Sequence, residues 1–416
     1  MRILHTADWH LGKSLHGHSL LEDQARFLDL FVDMVKSEKP DVLLLAGDVY
    51  DRSVPPSSAV ELFSDTLERL ASLSSTPLPL LIIAGNHDCG ERLSFASDIL
   101  RRQALHIAGA YHPGSRPVLL EDQDGPVAFH LLPYLFPAEL RAHHPEDDSS
   151  DHQALTQTAL QHLPSKETSR EVLVAHAFVD GGEESDSERP LSIGGSGAVP
   201  AVLFERFQYT ALGHLHAPQS LSSRIRYSGS PLKYSFSEHE HEKSVSIVEL
   251  DATGECRLET LPLRPRTDLR VLEGSLKDLL QQGQADPDRD DYLLIRLTDT
   301  EALLDPFGKL KEVFPHLLHL ERPGLQRNLH ENDLHREDLR KDDVTLFQSF
   351  FHQVTGEPMN PQQVDCALPI LDPEGRLAVA SSVSKPSERK EKTRRRKLPK
   401  GDSIAQTTLP LFPIEG

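Results

Sequence analysis

The chain has 416 residues, with 44 Lys or Arg against 64 Asp or Glu, and a formal charge of −20 that argues against binding nucleic acid through overall electrostatics. Three cysteines, Cys89, Cys256 and Cys366, are widely separated and odd in number, which counts against a disulfide framework or a Cys-x-x-Cys zinc site and fits a reducing cytoplasm. Met1 leads straight into an apolar strand pattern with no basic leader, and no apolar stretch approaches the length of about 18 residues that a membrane span needs, so a cytoplasmic protein without membrane contact is expected.

At a prior of roughly 150 residues per domain the length predicts two or three units. Short apolar, β-rich runs at Arg2 to His5, Val42 to Ala46, Leu80 to Ala84, Val172 to Ala175, Tyr209 to Leu212 and Ser244 to Leu250 predict buried strands, most of them bounded by Gly, Pro, Asp or Asn. Leu21, Ala25, Leu28, Val32 and Val35 recur at helical spacing between the first two, and Val60 to Leu73 repeats the pattern. Alternating strands and helices imply a layered α/β core.

Ala142 to Ser169 is polar, carries Asp147, Asp148 and Asp151, and reads as a surface insertion; Gly181 to Gly197 reads as a mobile loop. After about Leu263 a smaller unit is expected, ending near Arg322, with a strand at Tyr292 to Leu297 and a helix at Leu303 to Val313. Asp342 to Gly356 predicts a helix with Leu346, Phe347, Phe350 and Phe351 as an aromatic stripe, which suits core packing as well as docking. Beyond Asp372 the chain turns Ser- and Lys-rich, with a basic run from Arg394 to Lys397, and disorder is expected.

Chemistry-bearing residues cluster just past the carboxyl ends of the strands, where open α/β sheets place ligands. Asp8 and His10 lie two apart after the first strand, so both point to one side of the chain. Gly47-Asp48 follows the second strand, Gly85-Asn86-His87-Asp88 the third, His176 the next, and Gly213-His214-Leu215-His216 another. Each short motif alone is often a chance surface pair; five in this order point to metal. Mixed carboxylate, imidazole and amide-oxygen ligands suit manganese, iron or zinc.

A phosphodiester resists hydrolysis because its oxygens repel the attacking water and the alkoxide leaves poorly. Two cations about 3.5 to 4 Å apart address both problems. Such a site also presents positive charge to a phosphate, so the acidic balance does not exclude a DNA substrate. Asp48 is the expected bridge, with Asp8, His10 and His216 on one ion and Asn86, His176 and His214 on the other. His87 is left to donate to the phosphate or protonate the leaving oxygen, with Asp88 expected to orient its imidazole. His5, His16, His106 and His130 are expected to be core or surface residues.

These motifs resemble the calcineurin-like metallophosphoesterases. Longer strings narrow the likeness to the SbcD nucleases of bacterial SbcCD complexes: His5-Thr6-Ala7-Asp8-Trp9-His10-Leu11-Gly12-Lys13, Ala46 to Arg52 with Val54-Pro55-Pro56, Ile83 to Asp88 with Glu91-Arg92-Leu93, and Tyr227-Ser228-Gly229-Ser230-Pro231. The likeness covers roughly residues 1 to 250. It implies a layered β-sandwich flanked by helices as nuclease domain (1–263), a small α+β capping domain (268–322), a helical segment (335–360) docking on the ATPase SbcC, and a disordered tail (373–416). It further implies a manganese-dependent nuclease acting on DNA ends and hairpins, working as a homodimer within a heterotetramer. Phosphoprotein phosphatases and cyclic-nucleotide phosphodiesterases share the same metal core; the Asp-Trp-His-Leu-Gly and Val-Pro-Pro contexts favour the nuclease.

Separately, Gln406, Leu409, Leu411 and Phe412 fit Gln-x-x-Leu-x-Leu-Phe, which resembles the peptide that bacterial DNA enzymes insert into the sliding clamp. A chance apolar patch in a tail is the competing reading.

Overall fold

A computed structural model describes residues 1–145, 149, 151–164, 168–188, 197–323, 343–355 and 357–371. In chain order its first half runs β1 (Arg2–Thr6), β2 (Ser14–Leu15), β3 (His18–Ser19), α1 (Leu21–Glu38), β4 (Val42–Ala46), α2 (Ser57–Ala71), β5 (Leu80–Ile83), α3 (Gly90–Leu93), α4 (Ser97–Leu100), β6 (Leu105–Ala108), β7 (Val118–Asp122), β8 (Gly125–Leu132), α5 (Pro137–His143), α6 (His152–Gln161) and β9 (Arg170–His176). There follow β10 (Tyr209–Gly213), β11 (Gln219–Ser220), β12 (Ile225–Tyr227), β13 (Ser244–Leu250), β14 (Cys256–Pro262), β15 (Leu269–Gly274), α7 (Leu276–Gly283), β16 (Tyr292–Leu297), α8 (Pro306–Val313) and β17 (Leu317–Glu321).

Two six-stranded sheets form the body, in the orders β14-β13-β1-β4-β5-β6 and β11-β12-β10-β9-β8-β7. Their central strands are parallel: β1 with β4, β4 with β5, and β9 with β10. The two-residue side-chain period of a strand explains the layering. Ile3, Val42, Leu44, Leu81 and Ile83 face Phe129, Val172, Val174 and Ala211 of the second sheet. The alternate residues Leu4, Leu43, Leu45 and Ile82 pack against Phe27, Phe31, Val35 and Phe63 of α1 and α2. On the far side, Leu173, Ala175 and Leu212 meet Leu140, Leu155, Ala159 and Leu160 of α5 and α6.

That last layer corrects the expectation of a purely surface insertion at 142–169. Leu155, Thr156, Ala159 and Leu160 of α6 are buried, and Asp151 caps the helix by accepting from the Ala154 N–H. Of the acidic residues there, Asp147 and Asp148 lie outside the described residues.

The unit from β15 to β17 is a parallel three-stranded sheet whose strands alternate with α7 and α8, more narrowly a βαβαβ unit than a segregated α+β one. Leu293, Ile295 and Leu297 face the helices at Leu276, Leu279, Leu310 and Phe314. The opposite face, Leu269, Tyr292 and Leu294, joins the apolar cluster of α1. Tyr292 fixes the contact by donating its hydroxyl to Asp23 Oδ2 at 2.8 Å.

A second compact unit carries α9 (Asp343–Thr355) and α10 (Pro361–Leu371). Within α9, Phe350 is 57% exposed and its ring lies 6.5 Å from that of Phe347. The basic run and the clamp-like peptide at Gln406 to Phe412 lie outside the described residues, as does the whole tail at 373–416.

Candidate metal centre

The residues singled out by motif come together at the carboxyl ends of the central strands of both sheets. Trp9 explains how the first motif is aimed. Its indole sits edge-on to Phe27, Phe31 and Phe63 on the helical side of the sheet and donates to Thr6 Oγ1 at 2.9 Å. With Trp9 drawn into that core, its neighbours Asp8 and His10 turn toward the crevice. Both adopt the left-handed region, at φ 54° and 45°, as does Asp48 at 48°. Such conformations cost of order 1–3 kcal/mol each and persist where surrounding contacts impose them. Those contacts are Asp8 N–H to Gly47 O at 3.0 Å, His10 N–H to Asp48 O at 2.9 Å and Gln24 Nε2 to His10 O at 2.8 Å.

Glycines make room at the same points. A Cβ on Gly47, whose φ is +91°, would fall 2.2 Å from His176 Nδ1, and one on Gly213 would fall 1.8 Å from the Ala46 carbonyl. That carbonyl accepts from His176 Nδ1 at 2.9 Å, which turns Nε2 of His176 toward Asp48 Oδ2 at 3.5 Å.

Three overlapping groups have their donor atoms within 4.8 Å of one another: Asp8, His10 and His216; His10, Asp48 and His87; and Asp8, Asp48 and His176. Asn86 Oδ1 lies 3.0 Å from His176 Nε2 and 3.2 Å from His214 Nδ1, and His10 Nε2 lies 3.0 Å from His216 Nε2. Asp8 receives the His214 N–H at 3.0 Å. All seven residues expected as ligands therefore meet in one place, and all but the half-buried Asn86 are buried. His87, expected to stand apart from the metal, also falls among these groups, its ring 4.6 Å from that of His10.

Burial and mutual charge perturb every titratable group among those seven residues. Burial pushes Asp8 up to about 7 and holds His10 and His214 well below the imidazole range. Burial also acts to raise Asp48, but His176, His10 and His87 keep it well below the carboxylate range. Against burial, Asp48 and Asp8 carry His176 up to about 9. Two buried carboxylates ringed by imidazoles whose nitrogens face each other at 3.0 Å fit a divalent cation: lone pairs so close need a shared proton or a metal between them.

Asp88 departs from expectation. Its oxygens accept from the backbone N–H of Val49, Tyr50 and Gly85 at 3.0 to 3.1 Å, so it pins two ligand-bearing loops together. An orienting contact to the imidazole comes from the Asp51 carbonyl, 2.8 Å from His87 Nδ1. His87 N–H in turn donates to Asp48 Oδ1 at 2.8 Å.

The sequence motifs also omit a buried group behind His216. Glu238 Oε1 lies 3.2 Å from His216 Nδ1, and its other oxygen accepts from Lys243 Nζ at 2.5 Å. Glu238 and Lys243 lie in the run Glu238-His239-Glu240-His241-Glu242-Lys243, whose alternating charge is indistinguishable from a solvated face.

Residues 1–218 match the calcineurin-like phosphoesterase family, and residues 265–355 match the family described as type 5 capsule protein repressor C-terminal domain. A Staphylococcus saprophyticus protein, named as the SbcD component of the SbcCD nuclease, is 37% identical over 366 residues, 87% of this chain and 96% of its own. A Staphylococcus epidermidis protein of the same name is 34% identical over 368 residues, 88% of this chain and 96% of its own. Among solved structures, TT1561 of Thermus thermophilus aligns over 63% of this chain and 99% of its own at 15% identity and a TM-score of 0.36, too slight a likeness to bear on function.

Proposed function

This chain belongs to the calcineurin-like phosphoesterases, in their SbcD nuclease branch, and from that premise we propose that it is a manganese-dependent DNA nuclease. It is a phosphodiester hydrolase that uses divalent metal. The finer reading is a double-strand exonuclease that also opens hairpins and single strands, in DNA repair, recombination and replication. The observation that carries it is the convergence of seven ligand-type residues from five strand ends on one buried crevice.

Two manganese ions are assigned to this crevice, one held by Asp8, His10, Asp48 and His216, the other by Asp48, Asn86, His176 and His214. When bound, such ions supply an acidified water and a clamp on the phosphate oxygens. The remaining work belongs to the chain. Asp48, shared by both sets, holds them in one register. His87 donates its Nδ1–H to the Asp51 carbonyl, which leaves Nε2 facing the crevice. To act as general acid on the leaving oxygen, His87 must carry a second proton at Nε2; with that proton it also offers a cation to the phosphate.

The unit at 268–322 is assigned as a cap over the site, and the helix at Val344 to Val354 as the docking element for an SbcC-type ATPase, with two copies of this chain in the complete assembly. No helix among the described residues is long and apolar enough to cross a membrane, and a cytoplasmic location is part of the proposal. The peptide at Gln406 to Phe412 is assigned to the sliding clamp; loss of peptide binding to purified clamp on Phe412→Ala supports that, and no binding at high peptide concentration rejects it.

Metal stoichiometry tests the core of the reading. Calorimetry with manganese is expected to give two ions per chain, with one lost in Asn86→Ala and hydrolysis of a phosphodiester abolished. A single ion in the wild type would reject the two-metal assignment.

A further inference from the structure

We propose that Lys243, Glu238 and Ser187 form a clamp whose role is to hold His216 in one tautomer and one rotamer for its metal, an inference that rests on His216 being a ligand as proposed above. The protons of Lys243 are all used. Lys243 Nζ has three protons and three partners: Glu238 Oε2 at 2.5 Å, the His216 carbonyl at 2.8 Å and Ser230 Oγ at 2.9 Å. It thereby grips His216 twice, directly at the backbone and through Glu238 at the ring.

Glu238 Oε1 lies 3.2 Å from His216 Nδ1, and Ser187 Oγ lies 2.6 Å from the same nitrogen. Ser187 also donates its hydroxyl to Glu238 Oε1. With a neutral imidazole, one proton arrangement satisfies all of these contacts. Nδ1 of His216 carries the hydrogen, which Ser187 and Glu238 share, and Nε2 keeps its lone pair toward His10 and the metal set. A second carboxylate completes the grip, Glu188 Oε1 accepting the His216 N–H at 2.8 Å.

Burial shows that this is no surface ion pair. Glu238 is 0% exposed and Lys243 4%, so neither charge is tolerated there without its partner. A buried ion pair of this kind is weak support for stability, since apolar groups of similar volume usually serve as well. What apolar groups cannot do is fix the tautomer of a histidine. Carboxylates behind metal-bound imidazoles do so, and their loss typically weakens metal binding about 10- to 100-fold. Ser187 adds a link of its own kind: it comes from the loop after β9 and ties that loop to the imidazole, as Glu188 of the same loop ties it to the His216 backbone.

The experiment is manganese binding to the full chain by calorimetry, with the melting temperature of the metal-free protein measured in parallel. Wild type is compared with Ser187→Ala, Glu238→Gln, and Glu238→Gln combined with Lys243→Met. The clamp predicts that Glu238→Gln weakens one binding step about 10- to 100-fold and leaves the other within about threefold. Ser187→Ala weakens the same step by less, with the metal-free melting temperature unchanged.

The double variant removes the stranded Lys243 charge and so recovers melting temperature, yet its weakened step stays weak; a merely structural pair would recover both. If Glu238→Gln alone fails to fold, the double variant and Ser187→Ala carry the test. Wild-type affinities at both steps, or both steps weakened in parallel with the melting temperature, would overturn the inference. Wild type that takes up no manganese would instead overturn the metal assignment itself.

Discussion

Gly85→Ala isolates the demand that the metal set makes on its neighbours. Gly85 is not in the positive-φ region, so an alanine there meets no conformational penalty of that kind. The added Cβ would nonetheless fall 2.2 Å from Asp48 Oδ1, 2.5 Å from its backbone N and 2.7 Å from its Cγ. Ordinary contact begins at 3.4 Å, so the shared carboxylate must yield by about 1.2 Å and the Asp48 backbone N by about 0.9 Å, or the Gly85 backbone must give way. The backbone is the stiffer side, because Asp88 ties the Gly85 N–H to the Val49 and Tyr50 N–H groups.

Asp48 therefore moves, and with it the carboxylate assigned to both ions. A displacement of about 1 Å in a catalytic constellation can cost about 100-fold in rate, and overpacking a filled site costs about 1–3 kcal/mol of stability. The expected outcome is a loss of phosphodiester hydrolysis of about 100-fold or more, with a melting temperature only a few degrees lower. Gly114→Ala, where nothing lies within 4 Å but φ is +72°, serves as the control that meets backbone strain away from the site and keeps activity. Activity of Gly85→Ala within about threefold of wild type would refute the assignment of Asp48 as the shared, immovable ligand.

His87→Asn is expected to lower kcat about 100- to 10,000-fold, with manganese affinity little changed if His87 acts on the phosphate; loss of a binding step would make it a ligand instead, as its place beside His10 and Asp48 allows. Asp88→Asn leaves one oxygen for three buried N–H donors and is expected to cost about 1–3 kcal/mol in urea unfolding; an unchanged midpoint would deny its role in pinning the loops. His5 gives a pH signature. Burial, then Arg226, hold it down to about 3, so below about pH 6.5 the unfolded chain takes up a proton that the folded chain refuses. Its stabilisation is present above pH 6.5 and is lost as pH falls toward 3. Stability of the metal-free protein relative to His5→Gln should drop by about 1–2 kcal/mol between pH 7 and 5, and a difference independent of pH would contradict this.

The strands that carry ligands were legible because they are buried on both faces and read as unbroken apolar runs. Val42–Ala46 keeps the bounds expected of it, and Tyr209–Gly213 is longer by one residue. The exposed edges were not legible: β14 has Arg257, Glu259 and Thr260 among mostly exposed positions and no apolar period to betray it. Helix α6 was hidden by its polar neighbours, although Leu155, Ala159 and Leu160 hold the helical spacing.

At the site, motifs pointed to the residues that would meet but not to how they are aimed. The left-handed turns at Asp8, His10 and Asp48 fall on residues other than glycine, so composition gives no sign of them. A carboxylate beside a histidine in sequence suggests a pair and gives no sign of the three backbone donors to which the turn sends Asp88. Glu238 and Lys243 were missed because a buried charge and a solvated one are written with the same letters.

The central claim is tested most directly by incubating the purified chain with linear and hairpin duplex DNA and with a phosphomonoester, with manganese and with chelator, alone and with an SbcC-type ATPase and ATP. The account predicts manganese-dependent cleavage of both DNA forms, abolished by chelator, with little monoester hydrolysis. Monoester hydrolysis without DNA cleavage under every condition would contradict it and place the chain among the phosphatases of the same family.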